Sequence, residues 1–313
     1  MAHRLLIQQG ALPPALQTRL QSLYDTQLLP QPGPARDDFL ATHGQGAVAL
    51  ATNARFGCSA ELAARLPDLR VVSSLGVGLD AIDLPALHAR GIAVGYTPEV
   101  LNDCVADIAF ALLMAAARRV TAADAFVRRG DWTRGQFPMG TRVSGKRLGI
   151  LGMGRIGAVV ARRAIGFDME VRYHNRRPAA GSTLGYAATP TELAAWADFL
   201  VVVTAGGPET RNLVSREVLD ALGPKGFLVN VSRGSVVDEA ALIDSLQQRR
   251  IAGAGLDVFA HEPEVPEALR SLDNVVLLPH IASNTEETRA AMTQRVEDNL
   301  AAFFAGRTLP SAA

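Results

Sequence analysis

Short apolar runs recur along the chain, separated by stretches whose apolar positions repeat with a helical period. In roughly the first hundred residues the runs are RLLI, AVALAT (Ala47 to Thr52), RVVSSL (Arg70 to Leu75) and IAVGY (Ile92 to Tyr96). Runs of this length alternating with helical patterns predict a parallel sheet with covering helices. From about Val100 to Arg129 the pattern predicts one long helical segment, apolar nearly all round through IAFALLMAAA and closed by the basic RRV and VRRG. Such a helix requires burial, and another subunit is one candidate for what covers it. The loop GDWTRGQFPMG, rich in Gly, Pro and aromatics, then leads into a second series of strands: RLGIL, MEVRYH, FLVVV, GFLVNV, GAGLDVF and NVVLL. These again alternate with helices.

Two helix starts are marked by capping residues. Thr189, Pro190 and Glu192 supply an N-cap, a proline at the first helical position and a capping-box carboxylate. Asn284 and Glu287 predict the same for a C-terminal helix running to about Ala305. A complete α/β unit precedes the second sheet, and the terminal helix follows its last strand. One domain is therefore expected to be inserted into the other, with crossings near Glu99 and Ser283. The segments 1–99 and 284–313 would form one domain and 100–283 the other.

Composition narrows the partners. At 313 residues, 48% hydrophobic and 20% charged, the chain reads as a soluble globular protein with room for two domains. Thirty-one basic residues balance thirty-one acidic ones, and no block of like charge is present to attract nucleic acid or an anionic membrane. The two cysteines, Cys58 and Cys104, have no paired spacing, so neither a disulfide framework nor a metal cluster is expected and a reducing, cytoplasmic setting fits best. His3, His43, His88, His174, His261 and His280 include no pair at i, i+4, so no metal is expected. The longest apolar run, Ile108 to Ala117, is far short of the ~20 residues that span a bilayer, and the start MAHRLLIQQG lacks a signal-peptide core. No G-x-S-x-G elbow of a serine hydrolase occurs.

GKRLGILGMGRIGAVVARRA places Gly152, Gly154 and Gly157 in G-x-G-x-x-G spacing between a predicted strand and a predicted helix. Such glycines allow a tight turn, the approach of a pyrophosphate to backbone amides, and close packing of helix on strand. A merely tight strand-to-helix turn is the alternative. In the NAD form of this motif an acid about 20 residues further on binds the adenosine ribose. Here Asn175 stands at that position, followed by Arg176 and Arg177 in YHNRRP. A carboxylate there would repel a 2′-phosphate, whereas these arginines neutralise one, so NADPH is expected to be preferred, with NADH still usable. A solvated basic turn is the competing reading.

Three later segments each end an apolar strand in a residue suited to chemistry. They are GFLVNVSRG with Arg233, GAGLDVFAHEP with Glu262, and NVVLLPHIAS with His280. Arginine binds a carboxylate as a fork, histidine exchanges protons near neutral pH, and a neighbouring glutamate favours the imidazolium. Together they suit a 2-oxo acid. Taken singly, Arg233 also suits holding a loop, Glu262 a solvated position, and His280 a core position satisfied by a backbone carbonyl.

LGMGRIG, NVSRG, GLDVFAHEP and PHIAS, in this order, resemble the D-isomer-specific 2-hydroxyacid dehydrogenases, and the resemblance covers almost the whole chain. SSLGVGLDAIDL, TPEVLNDCVADIAFALLM and ALGPKGFLVNVSRG are most similar to its NADPH-dependent hydroxypyruvate and hydroxyphenylpyruvate reductases. The resemblance implies two Rossmann-like parallel-sheet domains, a dinucleotide domain inserted into a discontinuous substrate domain, and a homodimer held by the helix near 100–129. It implies His280 as proton donor, Glu262 as its charged partner and Arg233 as substrate anchor. Leu75, Val77 and Gly78 would bind substrate with Arg233, through backbone N–H groups of Val77 and Gly78; a structural turn is the alternative for that loop. Around the dinucleotide it implies Gly152, Gly154, Arg155, Ile156, Gly157, Asn175, Arg176, Arg177, Thr204, Ser232, Asp257, His280 and Ser283.

The expected reaction is NADPH-dependent reduction of glyoxylate or hydroxypyruvate to the D-2-hydroxy acid. Phenylpyruvate or 4-hydroxyphenylpyruvate is the rival within the family. Formate enzymes of this type carry glutamine in place of the glutamate, which Glu262 argues against. A dinucleotide-sensing, corepressor-like protein is the rival from another class.

Overall fold

The computed structural model describes residues 4–313; Met1, Ala2 and His3 lie outside the described residues. The chain divides into two compact units, one formed by the residues up to Leu101 together with Thr285–Ala313, the other by Asn102–Asn284.

The first unit is built on five parallel strands: β1 (Arg4–Gln8), β2 (Asp25–Leu29), β3 (Ala47–Asn53), β4 (Val71–Leu75) and β5 (Ala93–Gly95). They lie in the order β2-β1-β3-β4-β5. The four apolar runs became β1, β3, β4 and β5. β2 had no such signal, because DTQLL is an edge strand on which only Leu29 is buried. The helix Glu286–Phe304 packs on β4, where Ser73 Oγ donates to Val296 O at 3.4 Å. Asn299, fully buried, fastens the end of the chain: its Nδ2 donates to Tyr96 O and its Oδ1 accepts from Ser311 N. The cap of this helix corrects the sequence expectation. Thr285, not Asn284, is the N-cap, and its hydroxyl accepts from Thr288 N at 3.2 Å.

The second unit holds seven parallel strands: β6 (Arg147–Leu151), β7 (Glu170–His174), β8 (Gly185–Tyr186), β9 (Phe199–Val202), β10 (Phe227–Asn230), β11 (Gly253–Leu256) and β12 (Val275–Leu277). Their order is β12-β11-β10-β9-β6-β7-β8. The chain moves outward from β6 through β7 to β8, then returns to β9 on the other side of β6, so the sheet reverses direction beside β6. Open α/β sheets gather ligands at that point, outside the carboxyl ends of the strands.

The single helix expected from Val100 to Arg129 is two helices, Asn102–Arg118 and Val120–Arg128, separated by Arg119 in a left-handed conformation (φ 53°). The first buries Val105, Ala106, Ala109, Phe110, Leu112, Leu113, Ala116 and Ala117 against β10, β11 and β12. Gly255 of β11 makes this approach possible, since a Cβ there would stand 2.8 Å from Leu112 Cβ. Thus the first helix finds its burial inside its own unit. The second helix buries no residue. At Pro190–Trp196 the cap is as expected: Thr189 Oγ1 accepts from Glu192 N at 3.0 Å, while Glu192 Oε2 accepts from Ala188 N rather than from the cap residue. No helix among the described residues is long and apolar enough to cross a membrane.

Candidate active site

Because all seven strands of the second unit are parallel, the segments that follow them share one edge of the sheet. After β6 comes the glycine loop. A Cβ on Gly152 (φ 112°) would stand 2.6 Å from Thr204 N, and one on Gly157 would stand 2.2 Å from Gly152 O. These two glycines are required by packing of the loop on the next strand and of the helix on the loop. Gly154 differs, because a Cβ there would meet nothing within 4 Å. It leaves open space beside the start of the helix Arg155–Ala164, whose N-cap is Gly154 itself with no side chain bonded to the first turn. A helix N-terminus opening on a side-chain-free space is the cradle a pyrophosphate requires. Arg155 and Ile156 begin that helix, and Thr204 lies against the loop at Gly152.

After β7, Asn175 takes a position that the sequence did not foretell. Its Oδ1 accepts from Met153 N at 2.6 Å and its Nδ2 donates to Met153 O at 3.2 Å. The amide is therefore engaged with the glycine loop and shapes it. Arg176 and Arg177 are exposed, and Arg176 Nη1 pairs with Glu209 Oε2 in the turn after β9.

At the end of β10, Asn230 is buried at 1% exposure and organises the turn that follows. Its Oδ1 accepts from Ser232 N at 3.0 Å and Ser232 Oγ at 2.9 Å, and its Nδ2 donates to Arg233 O at 3.0 Å. Arg233 Nη1 in turn donates to Ser232 O at 2.7 Å. Ser232 is thus held by Asn230 as a member of the turn. Gly234 then sits so close to the next loop that a Cβ would overlap Phe259 C at 1.9 Å. That contact brings the segment of Arg233 against the segment of Glu262.

After β11, Asp257 is fully buried. Its carboxylate accepts from Ile281 N at 2.8 Å and Ala282 N at 2.9 Å, while its backbone oxygen accepts from His280 N at 2.9 Å. Asp257 therefore fixes the strap that carries His280 and Ser283. Burial pushes its carboxyl up, and the two backbone N–H donors and the charge of His280 only partly oppose this. Glu262 Oε1 accepts from Phe259 N at 3.1 Å, and Glu239 Oε2 holds the same loop by accepting from Ala260 N at 3.1 Å.

After β12, His280 adopts φ 54°, a left-handed conformation uncommon outside glycine. Its Nδ1 stands 2.7 Å from Glu262 Oε2. A carboxylate can only accept, so Nδ1 carries the proton of this bond and Nε2 is the atom available for proton exchange. The imidazole is 46% exposed and the Glu262 side chain 33%. Burial acts to raise the Glu262 carboxyl, but the hydrogen bond and charge of His280, the Phe259 N–H and the charge of Arg233 outweigh it and hold the group below its usual range.

That direction has a measurable consequence. A carboxyl depressed in the folded state contributes stability that is present above its ordinary value of 4.5 and is lost as pH falls toward the folded value. Urea titrations should find Glu262→Gln less stable than the parent near neutral pH, and the gap should close on acidification below the ordinary glutamate range. A gap that stays constant with pH would remove the proposed charge coupling.

In the first unit, Leu75 closes β4 and is buried at 6% exposure. The following turn is set by Gly76 (φ 145°), where a Cβ would stand 2.8 Å from Ala54 Cβ. Thr97 pins it, its hydroxyl accepting from Gly76 N at 3.0 Å and its N–H donating to Gly76 O at 3.0 Å. Val77 and Gly78 follow, half-buried.

Sequence reasoning missed Asn230, Glu239 and Thr97. Only Asn230 carried a local signal, a polar residue at the end of an apolar strand beside SRG. Among the described residues, no group of three or more His, Cys, Asp or Glu is placed to hold a metal ion.

A doubly wound parallel sheet with a side-chain-free loop at its switch point, and Arg, Glu and His along the same edge, has the architecture of a dinucleotide-dependent oxidoreductase. Residues 110–282 match the family model described as the NAD binding domain of D-isomer specific 2-hydroxyacid dehydrogenases. The chain is 48% identical over 276 residues to hydroxyphenylpyruvate reductase of Plectranthus scutellarioides, covering 88% of each chain. It is 46% identical to a glyoxylate/hydroxypyruvate reductase of Arabidopsis thaliana, again over 88% of each. Among solved structures, the NADPH-dependent glyoxylate/hydroxypyruvate reductase of Sinorhizobium meliloti in complex with NADP and malonate is similar with TM-score 0.92 and 40% identity, over 100% of this chain and 97% of that one. The chain belongs to the D-isomer specific 2-hydroxyacid dehydrogenase family and is an oxidoreductase of that family.

Proposed function

We propose that this protein is an NADPH-dependent reductase of small 2-oxo acids such as glyoxylate and hydroxypyruvate, forming the D-2-hydroxy acid, with NADH as a poorer reductant. The observation that carries the reading is the His280–Glu262 pair, Nδ1 to Oε2 at 2.7 Å, with Arg233 close enough for its charge to act on Glu262. The dihydronicotinamide, when bound, supplies the hydride. His280 delivers the proton from Nε2 to the substrate's carbonyl oxygen, and Glu262 keeps the ring oriented through its bond to Nδ1. Arg233 binds the substrate carboxylate and, lying near the carbonyl, favours negative charge on its oxygen. The backbone N–H groups of Val77 and Gly78, with Leu75 before them, are assigned to substrate binding on the family resemblance.

For the cofactor, the open space at Gly154 and the helix start at Arg155 and Ile156, whose cap residue carries no side chain, support a pyrophosphate. Thr204, Ser232, Asp257 and Ser283 lie along the same strand ends. Arg176 and Arg177 favour the 2′-phosphate of NADPH, and Asn175, without a carboxylate, does not oppose it. The relative from Sinorhizobium meliloti, described as NADPH-dependent, supports this preference.

The domain of 100–283 is assigned to the dinucleotide and the segments 1–99 and 284–313 to the substrate. We assign a homodimer contact to the helix Val120–Arg128 and the loop after it. That helix buries nothing, and Val120, Val127, Trp132 and Met139 are exposed at 51, 54, 69 and 97%. A reducing, cytoplasmic setting is assigned on cysteine usage: Cys58 is buried, and burial pushes its thiol up to about 12, so it is not a reactive thiolate.

Initial rates with NADPH and NADH against glyoxylate, hydroxypyruvate, pyruvate and phenylpyruvate test substrate and cofactor together. The highest kcat/KM is expected with NADPH and glyoxylate or hydroxypyruvate. A preference for phenylpyruvate would move the chain to the aromatic reductases, which the relative from Plectranthus scutellarioides represents. Dinucleotide binding with no turnover of any 2-oxo acid would favour a sensor.

A further inference from the structure

We propose that Glu209 is a specificity-determining residue for the cofactor: it competes with the 2′-phosphate of NADPH for Arg176 and so limits how strongly the enzyme discriminates between NADPH and NADH. The inference rests on the NADPH reading above and adds to it a residue that opposes that preference.

Topology makes the contact informative. Arg176 follows β7 and Glu209 follows β9, and these strands flank β6 on its two sides. An ion pair between them therefore passes across the end of β6, where the glycine loop lies. Glu209 is presented from a fixed turn, Pro208–Thr210, begun by Gly207 at φ 141°. Thr210 locks that turn, with its N–H donating to Gly207 O at 3.2 Å and its hydroxyl to Ala205 O at 2.8 Å. The carboxylate thus has a defined origin beside the only part of the cofactor that distinguishes NADPH from NADH. Asn175 is not free to make that distinction, since both ends of its amide are bonded to Met153.

The pair is easily opened. Its side chains are 80 and 72% exposed, and ion pairs that exposed contribute little to stability. A phosphate monoester carries close to two negative charges near neutral pH and takes the guanidinium from a carboxylate readily. Once Arg176 turns to the phosphate, Glu209 loses its counter-charge and faces a like charge. NADH has a ribose hydroxyl there and leaves the pair intact. Like charges a few ångströms apart in water change an affinity by about threefold to tenfold, an effect that salt screens.

The test is equilibrium binding, by calorimetry or by nucleotide fluorescence, to the parent, Glu209→Gln, Glu209→Ala and Arg176→Ala. The ligands are NADPH, NADH, adenosine 2′,5′-bisphosphate and adenosine 5′-monophosphate. Both Glu209 variants should bind NADPH and the bisphosphate about threefold to tenfold more tightly at low ionic strength, with the gain shrinking as salt is added and the other two ligands unchanged. Arg176→Ala should weaken only the two 2′-phosphate ligands. If Arg176→Ala behaves so but the Glu209 variants bind the phosphate ligands no more tightly, the role of Glu209 is wrong and the NADPH reading stands. If Arg176→Ala leaves NADPH affinity unchanged, Arg176 does not hold the phosphate and the role of Glu209 falls; the NADPH reading itself falls if the parent binds NADPH no more tightly than NADH.

Discussion

Replacing His280 with alanine is expected to lower kcat with the preferred 2-oxo acid by roughly two to four powers of ten, the usual contribution of a positioned general acid. Dinucleotide affinity, measured by fluorescence, should change little. The separation is expected because the strap carrying His280 is held by its backbone: His280 N–H donates to Asp257 O, and the next two N–H groups donate to the Asp257 carboxylate. Truncating the ring removes the proton donor and leaves those bonds in place. Because φ 54° is less comfortable for alanine than for polar residues that reach the left-handed region, His280→Asn is the companion variant. It should lose turnover to a similar degree while keeping the fold, with only the stability contributed by the bond to Glu262 removed. If either variant turns over like the parent, His280 is not the proton donor.

Replacing Arg233 with alanine should reduce kcat/KM by about two to three powers of ten, since a forked pair to a carboxylate comprises two charge-assisted hydrogen bonds of about 1.5–3 kcal/mol each, part of which water replaces. Lysine should recover only a fraction, because it restores charge without the fork. The fold should persist, as the turn is organised by Asn230, which binds Ser232 and the Arg233 carbonyl rather than the guanidinium. Arg233 also lowers the Glu262 carboxyl, so Arg233→Ala should move the acid limb of the rate profile upward in pH, toward the ordinary carboxylate range. A loss of turnover accompanied by an equal loss of stability would point to a structural arginine. A drop in kcat/KM with unchanged melting would support the anchor.

The candidate residues could be proposed from the sequence because their signals are local. A glycine loop between a strand and a helix is a matter of spacing within a few residues, and Arg233, Glu262 and His280 each follow an apolar run. The parallel sheet then brings such positions to one edge whatever their separation along the chain. β2 and β8 were missed because both are edge strands, one mostly polar and the other two residues long; an edge strand buries too little to impose an alternation. The break at Arg119 was also hidden, as left-handed arginine has no signature comparable to glycine.

By itself the sequence determined the α/β class, most of the strands along the chain and the glycine loop between a strand and a helix, and it offered the three residues proposed for the chemistry, since each depends on neighbours in the chain. Only the tertiary structure decided which strands adjoin β6, that Asn175 bonds Met153, that Arg176 meets Glu209, and that Gly234 lies against Phe259. Those partners are far apart in sequence or require a particular side-chain direction, and no local periodicity encodes either.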